Sequence, residues 1–383
     1  MKTDQKYVED LSIEGRKKEI EIKVSRIIDL LKKEDLDALY LAKQSNFAWI
    51  TAGSSNIVTI CTEAGVASIL VTKDGDRYAI TDAVEEPRMK EEQKLEDLGF
   101  TILSQAWYEN KNKEFIKGIV GSLDRVGADI PFDEAKMIQE KINPLRYSLT
   151  YNEICRYQYL GDYMSEALET YLTTLKPGMT EYEIAGGVAN AIWPEGIDQV
   201  LFLVASDERI LKHRHAIPTG KKVEKSLMVS CNGRYKGLIT TTTRMVHFGE
   251  APEELLEQFR VTAEIENRMI EATRPGVDDL VPHLVGKKAY EDFGYGEMYF
   301  KHHQGGAQGY YNRNYLVSEA NHHVTQVNQC YCYNPAIDGT KSEDAFIATE
   351  SGPLMITKPV VFPTITSTVN DVTFIRPNML LID

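Results

Sequence analysis

The sequence predicts an α/β domain over residues 1–147, followed by an α+β domain over residues 148–383 that carries an internal duplication. Three observations predict this. A chain of 383 residues exceeds what one ordinary hydrophobic core serves. Its N-terminal part alternates amphipathic helical stripes with short apolar runs, the pattern of an α/β domain. A Pro-Gly stop at Pro177-Gly178 returns 98 residues later at Pro275-Gly276.

In residues 16–33, Ile20, Ile22, Val24, Ile27, Ile28, Leu30 and Leu31 fall on roughly one helical stripe. Apolar runs at 38–41, 57–61, 67–71 and 78–80 predict strands, separated by polar turns such as 73–76. Residues 83–98 predict a helix that ends at Gly99 and leads into a strand at 100–103. Residues 133–150 predict a linking helix followed by a connection broken by Pro144. This first domain holds no histidine and no glycine-rich phosphate loop, so it carries no chemistry of its own.

A long helix is expected from about residue 152 to 175, closed by Lys176-Pro177-Gly178. The helical pattern at 163–174 precedes the first stop and that at 254–272 precedes the second. Further helical patterns at 181–192 and 280–293 follow the two stops, and each leads into a strand-rich stretch. Two helix–stop–helix–strand units predict a duplicated domain.

Composition narrows the function. The balance of 43% apolar to 26% charged residues is that of a globular protein. No apolar run reaches the roughly 18 residues that span a bilayer, and the polar N-terminus does not read as a secretory signal; a cytoplasmic location is expected. Five cysteines without framework spacing read as reduced thiols. A formal charge of −14 argues against nucleic acid as a partner, because phosphate backbones attract basic patches. All eight histidines lie between His213 and His323, which places proton chemistry in the second domain.

Several stretches carry a family resemblance. Lys176-Pro-Gly-Met-Thr-Glu181 looks like a PGxTE turn, and the segment from His215 through Pro218 to Lys225 resembles HxxPTxxxIExGD. Gly237–Arg244, GLITTTTR, is similar to GYxxDxTR. Gly339 to Asp344 followed by Ala348 to Gly352 is similar to GxRxEDxxxVTxxG. Together with the duplicated layout, these resemble the aminopeptidase P/prolidase/creatinase superfamily. The resemblance implies the pita-bread fold behind a creatinase-type N-terminal domain, a homodimer, and a small-molecule substrate.

Peptidases of that superfamily bind two divalent ions through two aspartates, a histidine and two glutamates, a set that clamps and activates water. By the same resemblance the ligand positions here fall near Ser230 or Cys231, and on Thr241, Gly306, Asn334 and Glu343. Only Glu343 is a carboxylate, and no aspartate occurs between Glu208 and Val277. Neutral oxygens serve two closely spaced dications poorly, so the expectation is no metal and no other cofactor.

The resemblance to creatinase, which hydrolyses a C–N bond with a histidine and no metal, then assigns roles. His215, in the HxxP-like segment, is expected to be the general acid and base, with His213 its rival. His302 and Glu343 complete the catalytic set. His213, Arg244, His303, Tyr310 and Asn334 are expected to bind substrate, Arg244 through the fork that guanidinium offers a carboxylate. The expected function is metal-independent hydrolysis of a C–N bond in a small polar metabolite. A metal-dependent Xaa-Pro dipeptidase or aminopeptidase and a non-catalytic peptide- or partner-binding protein are the alternatives.

Overall fold

The structure, a computed structural model, describes residues 7–383 and divides into two compact units, one of Val8–Arg146 and one of Tyr147–Asp383 with Tyr7.

The first unit is a six-stranded mixed sheet with helices. Its central strand, Ala38–Lys43, pairs antiparallel with Ala64–Thr72 and parallel with Val126–Ala128. Arg77–Asp82 and Thr101–Gln105 extend one side, and Lys136–Met137 closes the other. The helix Ile13–Glu34 starts where the Ser12 side chain accepts from the Gly15 amide, and it buries Ile20, Val24, Ile27 and Leu31.

Three expectations in this unit fail. The apolar run 57–61 is not a strand. Both edges of its neighbour Ala64–Thr72 are already paired, so Val58 and Ile60 stay exposed. The stretch 83–98 is helical only over Glu86–Glu91, and Lys94 then takes a positive φ, which no helix continues. In 133–150 helix is confined to the short Gln139–Ile142 and a 3₁₀ turn at Asn143–Arg146, after the edge strand Lys136–Met137.

The second unit repeats one plan twice. The helices Tyr151–Leu172 and Glu181–Ile192 flank the first stop, and both begin with capping boxes, Thr150 with Glu153 and Thr180 with Glu183. They lead to a four-stranded sheet in the order Leu380–Ile382, Leu238–Phe248, Ser226–Tyr235, Asp198–Ser206. The helices Glu253–Ala272 and Leu280–Asp292 flank the second stop. They lead to a sheet of Gly305–Gln308, Gln329–Tyr333, Asp344–Thr349 and Gly352–Met355. Gly178 and Gly276 both take positive φ, 91° and 81°, a conformation that glycine adopts without strain in the turns between the paired helices.

A buried chain of charges ties the helices to both sheets. Arg244 Nε donates to Glu169 Oε1 at 2.6 Å and Arg244 Nη1 to Asp344 Oδ1 at 3.0 Å. Arg376 Nη2 donates to Asp344 Oδ2 at 2.9 Å and to Glu266 Oε2 at 2.6 Å. Glu169 Oε2 also accepts the amides of Val360, Val361 and Phe362 at 2.8, 2.7 and 2.9 Å. Five charges out of water are tolerable only because each is paired and hydrogen-bonded. Among the described residues no helix is long and apolar enough to cross a membrane.

Candidate active site

The antiparallel pair Ser226–Tyr235 and Leu238–Phe248 sets Ser230 opposite Thr243 and Asn232 opposite Thr241. All four are buried. Strand alternation puts Ser230 rather than Cys231 on the face of Thr241 and Thr243. Glu343 lies in the short link between Thr340–Lys341 and the strand Asp344–Thr349, and its carbonyl accepts from the Thr243 amide at 2.9 Å.

These side chains close a ring. Lys341 Nζ donates to Glu343 Oε2 at 2.6 Å and to Ser230 Oγ at 3.2 Å. Thr243 Oγ1 donates to Glu343 Oε2 at 2.6 Å, which leaves Ser230 Oγ to donate to Thr243 Oγ1 at 2.6 Å. Arg313 Nη2 reaches the other carboxylate oxygen, Oε1, at 3.2 Å. Burial alone would raise the Glu343 carboxyl, but Lys341 and Arg313 beside it hold it below the usual value.

The dinuclear centre that the resemblance implies does not fit these residues. Its one remaining carboxylate is already compensated by two side-chain cations. Thr241 Oγ1 instead takes part in an uncharged network with Gln308, at 2.8 Å, and Asn312, at 3.2 Å. Gly306, at a φ of 148°, offers no side chain.

Beside this ring three histidines meet. His215 lies in the loop after the short helix Glu208–Lys212. That loop is pinned where Ala216 O accepts from the Val204 amide and Ile217 O from Arg209 Nη2, both at 2.9 Å. Glu181 receives Thr219 Oγ1 at 2.7 Å and pairs with Arg209. His302 follows the 3₁₀ turn Gly296–Lys301, and the Gln304 amide donates to its carbonyl at 2.8 Å.

The Nε2 atoms of His215 and His302 are 3.0 Å apart. His303 lies 4.1 Å from His302 and 5.9 Å from His215 between ring centroids. Burial, and then the charge of its neighbours, pushes His302 down to about 2 and His303 down to about 4. His215 is lowered by burial and by Lys341. All three rings are therefore neutral at pH 7. One nitrogen from each can lie within 4.8 Å of the others, the only such His/Cys/Asp/Glu group among the described residues. His302 and His303 line a cavity of about 420 Å³ with His283, Leu284, Tyr299 and Phe300, a size suited to a small molecule.

The structure brings together His215, His302, His303 and Glu343, whose charge acts on both His215 and His303. Asn334 is buried, its amide donating to Gln304 O at 3.3 Å while its Oδ1 has no protein partner. Three expected binding residues lie elsewhere. His213 is exposed at the end of Glu208–Lys212 and outside the histidine group. The Tyr310 hydroxyl donates to Glu153 Oε1 at 2.6 Å in the core. Arg244 spends its guanidinium in the buried charge chain, so it is a structural residue and not a substrate clamp.

Sequence reasoning missed Lys341, Arg313 and His283. Lys341 stands at the arginine position of the GxRxED-like stretch, two residues before Glu343, and that was the available signal. Nothing local marks His283, which buries its ring against Tyr333.

This arrangement of two histidine-bearing loops in a duplicated α+β unit, preceded in the chain by a mixed α/β unit, defines a class. Residues 156–350 match the profile of metallopeptidase family M24, and residues 23–149 match the creatinase/prolidase N-terminal domain. The chain belongs to metallopeptidase family M24, a family of hydrolases acting on C–N bonds. It is 24% identical over 356 residues to a Xaa-Pro dipeptidase of Pyrococcus furiosus, across 88% of this chain and 97% of that protein. The X-Pro aminopeptidase of Thermotoga maritima superposes with a TM-score of 0.71 at 19% identity, over 94% of this chain and 99% of that one. A dipeptidase of Pyrococcus horikoshii gives 0.76 at 18% identity, over 94% and 100%. At these identities the two solved structures bear on the fold alone.

Proposed function

We propose that the chain hydrolyses a C–N bond in a small polar substrate without the dinuclear centre of its relatives, in the manner of creatinase. The observation that carries this reading is the His215–His302 contact of 3.0 Å between neutral rings beside the cavity. Water attacks the carbon, and a histidine takes its proton and returns it to the leaving nitrogen. His302, pushed down to about 2, is too weak a base for that task at neutral pH. His215, less displaced, is the stronger base and takes the proton, while His302 orients its ring.

A second reading has its own support. A relative's name, Xaa-Pro dipeptidase, and the family's description as metallopeptidases favour a metal-dependent dipeptidase, with the three histidines ligating one ion in place of the lost carboxylate set. One experiment separates the two. Purified protein is assayed on amides, ureides and Xaa-Pro dipeptides, with and without chelator, beside His215→Asn and His213→Asn. The first reading expects chelator-resistant turnover that falls about 100- to 10,000-fold in His215→Asn only. Turnover abolished by chelator and restored by one equivalent of zinc or manganese would decide for the second.

A further inference from the structure

We propose that Lys341 is a catalytic residue whose ammonium replaces the missing metals at the reacting oxygen, and that the substrate is accordingly an amide or ureide and not a guanidine. This rests on reading the pocket as a C–N hydrolase site. Three observations carry it.

The first is where Lys341 sits. Its Nζ bridges Ser230 and Glu343, two of the positions at which the peptidases of the family hold metal. An ammonium has three donors, and these contacts use two of them. The second is charge. Lys341 and Arg313 face a single carboxylate, Glu343, and the histidines beside them are neutral, so this cluster is positive within a chain of net charge −14. Lys341 acts electrostatically on His215, His302 and His303 alike, so its charge is felt at these rings. The third is a set of buried polar atoms without protein partners on residues that touch the ring or its neighbour Thr241: Arg313 Nε, Gln308 Oε1 and Asn232 Oδ1. Leaving such atoms unpaired is costly, and functional sites are where the cost is tolerated.

The chemistry follows. The water oxygen bonds to the carbonyl carbon and a water proton passes to histidine. The C=O electron pair moves onto oxygen, where the free Lys341 N–H meets the developing charge. When that pair returns, the C–N bond breaks and the histidine proton goes to nitrogen. A guanidinium carbon offers no such oxygen, and its charge is repelled by Lys341 and Arg313.

Calorimetry on chelator-treated protein tests this without any turnover assay, with methylphosphonate as the tetrahedral oxyanion probe and methylguanidinium as the cationic one. Wild-type protein is expected to bind methylphosphonate and to leave methylguanidinium unbound. Lys341→Met should weaken methylphosphonate binding by about tenfold or more, and Lys341→Arg should restore part of it. Circular dichroism identifies variants that fold. If Lys341→Met does not, Lys341→Gln and Arg313→Gln carry the same comparison. Unchanged methylphosphonate affinity in a folded Lys341 variant, no binding by the wild type, or wild-type affinity for methylguanidinium would overturn the proposal. Metal-dependent turnover would overturn the metal-independent reading above, and the two failures are read in different instruments.

Discussion

Replacing Arg244 by methionine removes a buried guanidinium while keeping most of its apolar volume. The side chain donates to Glu169 and Asp344, to Thr242 Oγ1 at 2.5 Å, and to the carbonyls of Thr243 and Lys358 at 3.0 and 3.3 Å. Breaking a buried ion pair by deleting one partner costs about 3–5 kcal/mol. Here neither carboxylate is abandoned. Glu169 keeps three backbone amides, and Asp344 keeps Arg376 together with the hydroxyls of Thr242 and Thr357. The expected loss is therefore about 3 kcal/mol, the lower end of that range. Urea unfolding at pH 7.5 measures it, with an unchanged m-value showing that the denatured state is not the cause. The deficit should also depend on pH. Burial would raise the Asp344 carboxyl, but Arg244 and Arg376 hold it below its ordinary value. Its stabilising contribution is thus present above the unfolded pKa and lost as pH falls through the folded one. Without Arg244 that lowering is reduced, so the gap between variant and wild type should narrow as pH falls below about 4, the ordinary carboxyl value. A loss under about 1 kcal/mol, or a gap that does not narrow below that pH, would refute the structural role. Intact stability with impaired substrate binding would reinstate Arg244 as the clamp.

Thr180→Ala breaks one capping box and should cost about 1 kcal/mol; an unchanged urea midpoint would contradict the cap. The buried histidines make stability fall on acidification. His283 is pushed down to about 4 by burial, so between pH 6.5 and 4 the unfolded chain binds a proton that the fold refuses. Stability should drop by up to about 1.4 kcal/mol per pH unit from this group, and His283→Gln should flatten the slope by a comparable amount, an effect that an unchanged slope in urea titrations would disprove.

The fold was legible wherever a local rule decides it. The two stops at Gly178 and Gly276 mark positive-φ positions that glycine adopts without strain, and the helices around them follow. The run 57–61 was misread because apolar spacing reports what could pair and says nothing of whether a partner edge is free. The site divides in the same way. His215, His302, His303 and Glu343 could be named from motifs, but the contact between His215 and His302, 87 residues apart, is made by tertiary folding alone. Arg244 was misassigned because a guanidinium in a motif looks alike whether it meets a substrate or Glu169. Lys341 was passed over because the sequence shows a lost ligand set, while only the structure shows a cation in its place.

The strand Leu380–Ile382 runs parallel to Leu238–Phe248, and Arg376 lies just before it. During synthesis the sheet edge beside Leu238–Phe248 therefore stays open long after its other strands have left the ribosome. Asp344 and Glu266 wait equally for Arg376, two carboxylates close together with their shared counter-charge still inside the exit tunnel. The first unit has its last strand, Lys136–Met137, far earlier. Val8–Arg146 can thus fold as a nascent chain, while the catalytic half must stay incomplete until the last strand is free.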